Sequence, residues 1–484
     1  DGPIVTYTNA TNLTIQGKNG DDAIVIDAGL AGPGVTFAVD GGSSTNGSDT
    51  LTVVSLAGFD PLVVTPTSQG AGNVAYFSGG AGAVTYSGIE EIELVGQLAD
   101  ADPFGIDGTA GNDVFQYVSG PTANTGTVRG TMDTAGAAFP LPIIRFSGIA
   151  QASLIMFNTF GNQGGTDTVV FTATDAADAI AYNGAGNLTN TGAAGLLTNI
   201  NIGTAALGGT TTTLQIEAQN GDDVITVTPE IGVAIGVNGD NPSASDTLVI
   251  LGLDGVVEDF QVTSTSPGSG NVFEVNSTGT VNFTGIEHVQ VDSGDVGGGD
   301  GDTLTVFDTF GDDDLLLTAG NNGDLVTGSS ITPVEAVNSF ATLTVDVTGS
   351  FGDVVTVDST QLFNAATYSV VGTILDELVI LGSNTGDVVT SDADTITVGS
   401  TDIDFTALIG ALTIRTLEGD DNITLTGLTI SATVDAGAGN DTVDASGVAD
   451  DNVRLHLIGG AGNDNLIGGD SPTGSALGDI LDGG

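Results

Sequence analysis

The chain of 484 residues has no cysteine, no tryptophan and only two histidines. Without thiols there is no disulfide, no zinc–thiolate site and no thiol nucleophile. A secreted form needs another staple, and a metal ion would serve. Bases are nearly missing as well. Lys18, Arg129, Arg145, Arg415 and Arg454 stand against 61 acids, for a formal net charge of −56. Such a chain repels nucleic acid and anionic membrane surfaces, so neither is an expected partner. No apolar run approaches the roughly 18–20 residues that cross a bilayer, and no membrane span is expected. The chain opens at Asp1 without an initiator Met or a signal-peptide pattern, and stops inside a repeat at Gly484. That pattern suits a mature or internal piece of a longer protein. Aromatics are scarce at 5%, and 75 glycines with frequent β-branched runs leave no sizeable window for a long helix.

What remains is strand material. Hydrophobic residues make up 40% of the chain and charged residues 14%, which predicts a folded, all-β protein. Short apolar-polar alternations bounded by Gly, Asn and Asp predict strands of about 4–7 residues. In one of them Ile423 and Leu425 face inward while Thr424 and Thr426 face outward.

The acids are placed with a pattern. Fifty are Asp and eleven are Glu. A halophile surface would scatter them and use much Glu, whereas here Asp recurs beside Gly, which favours ligation over solvation. One cassette (Gly, polar, Asp, any residue, aliphatic or Phe) appears as GDDAI (20–24), GSDTL (47–51), GNDVF (111–115), GTDTV (165–169), GDDVI (221–225), GDDDL (311–315), GDDNI (419–423), GNDTV (439–443) and GNDNL (462–466). A longer period lies over it, because 20–96 matches 221–294 at an offset of about 200 residues. The expected organisation is five segments: repeat units 1–96, 97–200, 201–294 and 295–417, then a purer repeat tract over 418–484. The cassettes beginning at 419, 439 and 462 are spaced for one coil of a parallel β-solenoid or β-roll. Tandem β-sandwich domains are the alternative; they predict antiparallel strands where a solenoid predicts parallel ones.

GGAGNDNLI (459–467) and AGAGNDTVD (436–444) resemble the RTX (repeats-in-toxin) calcium-binding nonapeptide, Gly-Gly-x-Gly-x-Asp-x-aliphatic-x. The resemblance is close over about 430–484. It implies that Asp441 and Asp464 supply carboxylate oxygens to calcium, with backbone carbonyls around Gly437, Gly439, Gly460 and Gly462. The chemistry agrees, since calcium takes six to eight oxygens and glycine allows backbone angles that turn carbonyls toward an ion. GKNGDD and GTAGND, ending at Asp22 and Asp113, keep the fourth-position Gly and the Asp but lose the second Gly. The cassettes of Asp49, Asp167, Asp223, Asp313 and Asp421 keep little beyond Gly-x-Asp-x-aliphatic. At all of these the Asp either binds calcium or caps a turn by accepting backbone N–H bonds.

No enzyme is expected. His288 and His456 lie in strand-like contexts, and no Ser or Thr has a His or Lys nearby in sequence to activate it. Glu90, Glu91 and Glu93 suggest outward strand acids rather than a glycosidase pair, since the matching copy keeps only Glu287. The expected function is an extracellular, calcium-stabilised structural protein of a cell-surface layer, fibre or matrix, self-associating into a filament or lattice. Cell-surface polysaccharide is a further possible partner. The alternatives are a segment of a secreted RTX-type enzyme whose catalytic domain lies elsewhere, and a carbohydrate- or partner-binding adhesin.

Overall fold

The computed structural model describes residues 10–27, 35–43, 48–55, 61–78, 80–97, 102–122, 125–134, 137–148, 154–157, 165–191, 198–204, 211–240, 245–276, 279–294, 301–309, 311–349, 352–362, 365–405, 409–449, 452–469 and 478–484. They form strands and turns with no helix among them, and so no helix long and apolar enough to cross a membrane. The chain divides into two compact units, 1–246 and 247–484.

In the first unit Ala23–Asp27, Thr50–Val54, Glu91–Val95 and Ile143–Ser147 lie side by side in that order, all parallel. Asn12–Gln16, Thr36–Asp40 and Gly80–Ser87 form a second parallel series. Early in the chain consecutive strands alternate between the two series, so parallel neighbours come from successive passes. The second unit repeats the arrangement. Val354–Asp358, Glu377–Leu381, Ala411–Arg415, Ala432–Asp435, Leu455–Ile458 and Ile480–Asp482 run parallel in one sheet. Val388–Ser391, Asn422–Thr426, Thr442–Gly447 and Asn465–Ile467 run parallel in the other. Each added parallel strand is called a rung below.

Three-stranded antiparallel meanders interrupt this scheme. In the first, Leu62–Ser68, Ala71–Ser78 and Gly80–Ser87 pair in sequence, yet Gly80–Ser87 lies on the earlier strand Thr36–Asp40 and Leu62–Ser68 on the later strand Phe104–Ile106. The chain therefore steps ahead by two strand widths and folds back. In the second unit Asp259–Ser266, Ser269–Glu274 and Gly279–Thr284 pair in sequence, and Asp259–Ser266 lies on the later strand Thr303–Phe307. These two meanders lie in the segments 20–96 and 221–294, and further ones, such as Asp314–Ala319, Gly323–Gly328 and Val334–Val337, lie outside them.

The alternation seen in the sequence sets the packing. Strand Asn422–Thr426 buries Ile423 and Leu425 completely and leaves Thr424 half-buried and Thr426 exposed. Register then stacks like on like: Leu51 pairs with Ile92 and Ile92 with Ile144, one fully buried aliphatic column through three rungs. Aromatics form a short column of their own. Tyr117 stacks on Phe171 at 5.5 Å and on Phe146 at 6.0 Å. Gly126 permits this, because a Cβ there would come 2.4 Å from the Phe146 ring.

Candidate metal centre

One chemical feature recurs at rung after rung: an acid stands immediately before the strand, and its carboxylate accepts the backbone N–H of the acid on the preceding rung. In the second unit Asp387 N–H donates to Asp421 Oδ1 (2.7 Å), Asp421 N–H to Asp441 Oδ1 (2.9 Å) and Asp441 N–H to Asp464 Oδ1 (3.1 Å). Asp313 N–H donates to Asp353 and Asp353 N–H to Asp376. In the first unit the series runs from Asp22 to Asp49 to Glu90, from Asp113 to Asp167, and from Asp178 through Asp223 to Asp246. All nine cassette aspartates predicted from the sequence belong to these ladders. Asp178, Asp246, Asp302, Asp353, Asp376 and Asp387 belong too, although they lack a Gly two residues earlier or fall outside the cassette. Their shared signal is an Asp directly before an alternating apolar run. Glu90 takes the Asp role at its rung and is therefore not a free surface acid.

The second carboxylate oxygen separates the aspartates into two kinds. At Asp22, Asp223, Asp421, Asp441 and Asp464 the Oδ2 is enclosed and meets no hydrogen-bond donor. In each of these turns the residue four positions earlier has a left-handed backbone: Lys18 (φ 80°), Gln219 (φ 74°), Leu417 (φ 73°), Gly437 (φ 92°) and Gly460 (φ 86°). Asp49 Oδ2 is likewise without a donor, but the residue four before it lies outside the described residues, as does the one four before Asp167. At the other kind a Thr or Ser four residues earlier fills the gap. Thr109 donates its N–H to Asp113 Oδ2 (2.5 Å), and its hydroxyl lies 2.8 Å from Oδ1 and 2.5 Å from the Asp133 carbonyl, which share its one hydrogen. Ser383 likewise donates its N–H to Asp387 Oδ2 (2.7 Å), with its hydroxyl 2.9 Å from both Oδ1 and the Thr385 carbonyl. Thr309 and Thr174 place both donors on the Oδ2 of Asp313 and Asp178, respectively, although Asp178 Oδ1 stays without one.

The three turns of the RTX-like tract stack directly. Ala438 bridges both Glu418 and Ala461 in parallel, and the Ala461 N–H donates to the Gly437 carbonyl at 2.8 Å. Glycine is required there for room: a Cβ on Gly462 would lie 1.5 Å from the Gly439 carbonyl oxygen, and one on Gly460 2.0 Å from that of Gly437. The predicted carbonyl-bearing glycines are thus brought together beside Asp441 and Asp464. One turn further on, the Thr416 hydroxyl lies beside Asp421 but donates to the Ala436 carbonyl (3.0 Å), leaving Asp421 Oδ2 without a donor.

The electrostatic consequence is plain. Strands in a sheet repeat every 4.8 Å or so, and two like charges at that separation repel by about 3 kcal/mol at an effective dielectric constant near 20. Burial pushes the Asp223 carboxyl up to about 7, with the neighbouring Asp246, Asp178 and Asp222 charges adding to the rise against the bond from the Asp178 N–H. Burial also raises Asp421 and Asp441, assisted by their ladder neighbours. A donor-less buried carboxylate is costly as an anion unless a proton or a cation joins it. The donor set is all oxygen, hard and anionic, which fits calcium or a similar divalent ion and not a thiolate-seeking metal.

A second cluster arises where two passes meet. Asp308, Asp313 and Asp353 are all buried, and one carboxylate oxygen from each lies within 4.8 Å of the others, an arrangement that could hold a metal ion. Only Asp313 is marked by a cassette. His288 lies in strand His288–Asp292 with Nε2 3.2 Å from the buried Glu335 carboxylate, and His456 lies in strand Leu455–Ile458. Glu91 forms an ion pair with Arg145 at 2.6 Å, and Glu93 accepts the Thr52 hydroxyl at 3.1 Å. Compared with known proteins, the chain matches no family model and no curated protein.

Proposed function

We propose that this chain is a β-solenoid of the RTX type, clamped by calcium and serving as an extracellular structural element of a cell-surface layer, fibre or matrix. The observation that carries the reading is the stack of turns at 416–421, 436–441 and 459–464, in which Asp421, Asp441 and Asp464 each hold an enclosed oxygen with no donor. The mostly parallel register of the rungs supports a solenoid over tandem sandwiches. Calcium would be held by these carboxylates with carbonyls around Gly437, Gly439, Gly460 and Gly462, and would supply the positive charge that the ladder lacks. Extracellular calcium modules bind at about 10⁻⁴–10⁻³ M, so the ion concentration outside a cell would couple binding to folding. Association into a filament or lattice, and contact with cell-surface polysaccharide, belong to the same proposal.

The test is a calcium titration of the chelator-treated chain, followed by circular dichroism. The expected outcome is loss of β signal or heat stability in chelator and recovery at millimolar calcium. A fold indifferent to chelation would end the proposal. Asp441→Ala and Asp464→Ala are expected to loosen the C-terminal tract first and raise its calcium midpoint, which limited proteolysis across the titration would measure.

A further inference from the structure

Two hexapeptides of this chain differ by a single residue and yet leave their aspartates in opposite states. Gly459–Asp464 reads GGAGND and 108–113 reads GTAGND. In the first, Gly460 is left-handed at φ 86° and Asp464 Oδ2 is enclosed without a donor. In the second, the Thr109 N–H donates to Asp113 Oδ2 and the Asp133 N–H to Oδ1 at 2.7 Å, and the Thr109 hydroxyl lies between Oδ1 (2.8 Å) and the Asp133 carbonyl (2.5 Å), so both carboxylate oxygens have a donor. The contrast extends along the chain. Left-handed Lys18, Gln219, Leu417 and Gly437 accompany donor-less oxygens at Asp22, Asp223, Asp421 and Asp441, while Ser383 closes Asp387 as Thr109 closes Asp113.

The physical reason is local. At the left-handed positions no N–H or hydroxyl of that residue reaches Oδ2, whereas Thr109 and Ser383, outside that region, donate their N–H to it and bring a hydroxyl within reach. A carboxylate that already accepts two or three bonds is satisfied as an anion. One buried with a bare oxygen is not, and Asp223, Asp421 and Asp441 are no more than 2% exposed.

We propose that at Asp22, Asp113, Asp223, Asp387, Asp421, Asp441 and Asp464 the residue four positions earlier decides whether the turn is a divalent-cation site. The left-handed turns of Asp22, Asp223, Asp421, Asp441 and Asp464 take an ion, whereas the capped turns of Asp113 and Asp387 are ion-free struts. This rests on the cation reading above and sharpens it. It assigns sites at Asp22, Asp223 and Asp421, where Lys18, Gln219 and Leu417 replace the motif glycine, and denies one at Asp113, whose sequence is closer to the motif.

Calcium chloride is the probe, and equilibrium dialysis of the full chain gives the number of ions bound. Thr109→Gly turns the 108–113 hexapeptide into a copy of 459–464 and is expected to bind one ion more than the wild type; Asp113→Asn in that background is expected to remove the gain. Asp223→Asn and Asp421→Asn in the otherwise natural chain are expected each to lose at least one ion and, in chelator, to melt no lower than the wild type. Asp113→Asn and Asp387→Asn are expected to keep the ion count and to melt lower in chelator, since an amide cannot accept both capping donors. The partition is overturned if Asp113→Asn or Asp387→Asn sheds an ion, or if Asp223→Asn and Asp421→Asn shed none. It is overturned too if a folded Thr109→Gly chain gains none. If the wild type binds no calcium at all, the reading beneath it falls as well, so the two failures are told apart. Should Thr109→Gly not fold, the four Asn variants decide alone.

Discussion

At Asp223 the fold holds a carboxyl that prefers its proton. The folded value near 7 lies well above the ordinary 3.8, so the folded chain binds this proton more tightly than the unfolded chain does. The sign follows. The contribution to stability is fully present below the ordinary carboxylate range and is lost as the pH rises through about 7. In chelator the chain is therefore expected to melt at a higher temperature at about pH 5 than at about pH 8. With calcium the difference should shrink or reverse, because the ion takes over the neutralising role. Calorimetry at the two pH values, with and without calcium, checks this; a melting point in chelator that climbs toward pH 8 would contradict the buried-carboxylate account. The cassette made Asp223 visible in the sequence. That its oxygen lacks a donor depends on Gln219 adopting a left-handed turn, which its residue type does not favour.

Among the elements, the strands were the most legible part and the meanders the least. Period-two alternation marks Glu91–Val95 and Asn422–Thr426 directly. Nothing local to Leu62–Ser68 says that it will pair with Phe104–Ile106 rather than continue the rung below. That choice depends on contacts between residues some forty positions apart, formed only once both sheets exist. The aliphatic column can be tested directly. Ile92 is fully buried between Leu51 and Ile144, so Ile92→Ala is expected to cost about 2–5 kcal/mol by leaving a cavity between rungs. Thermal melting in saturating calcium would show it as a lowered midpoint, whereas the exposed Val25, two strands away in the same sheet, should tolerate the same change with little loss.

For the whole molecule, charge dominates. With a formal net charge of −56, self-repulsion opposes compactness, but the acids are of two sorts. Those on exposed faces are screened by ordinary salt, since the Debye length is about 8 Å at physiological ionic strength. The enclosed ladder oxygens are screened much less by diffuse ions. In chelator, raising sodium chloride from about 0.05 to 0.5 M is therefore expected to raise the melting temperature less than millimolar calcium does. If salt alone restored full stability, diffuse charge rather than site binding would be the cause.

Composition and short-range pattern by themselves determined that the chain is built of strands, that acids sit at the turns between them, and that oxygen-seeking cations are the ligands to test. Those properties depend on neighbours within a few residues, which a linear reading captures. Tertiary structure alone decided which carboxylate oxygens keep a donor, that Asp308 and Asp353 join Asp313, and that Glu90 serves as a ladder member. These follow from which rung lies on which, and a single chemical difference such as Thr109 against Gly460 acquires its meaning only against the carboxylate it does or does not reach.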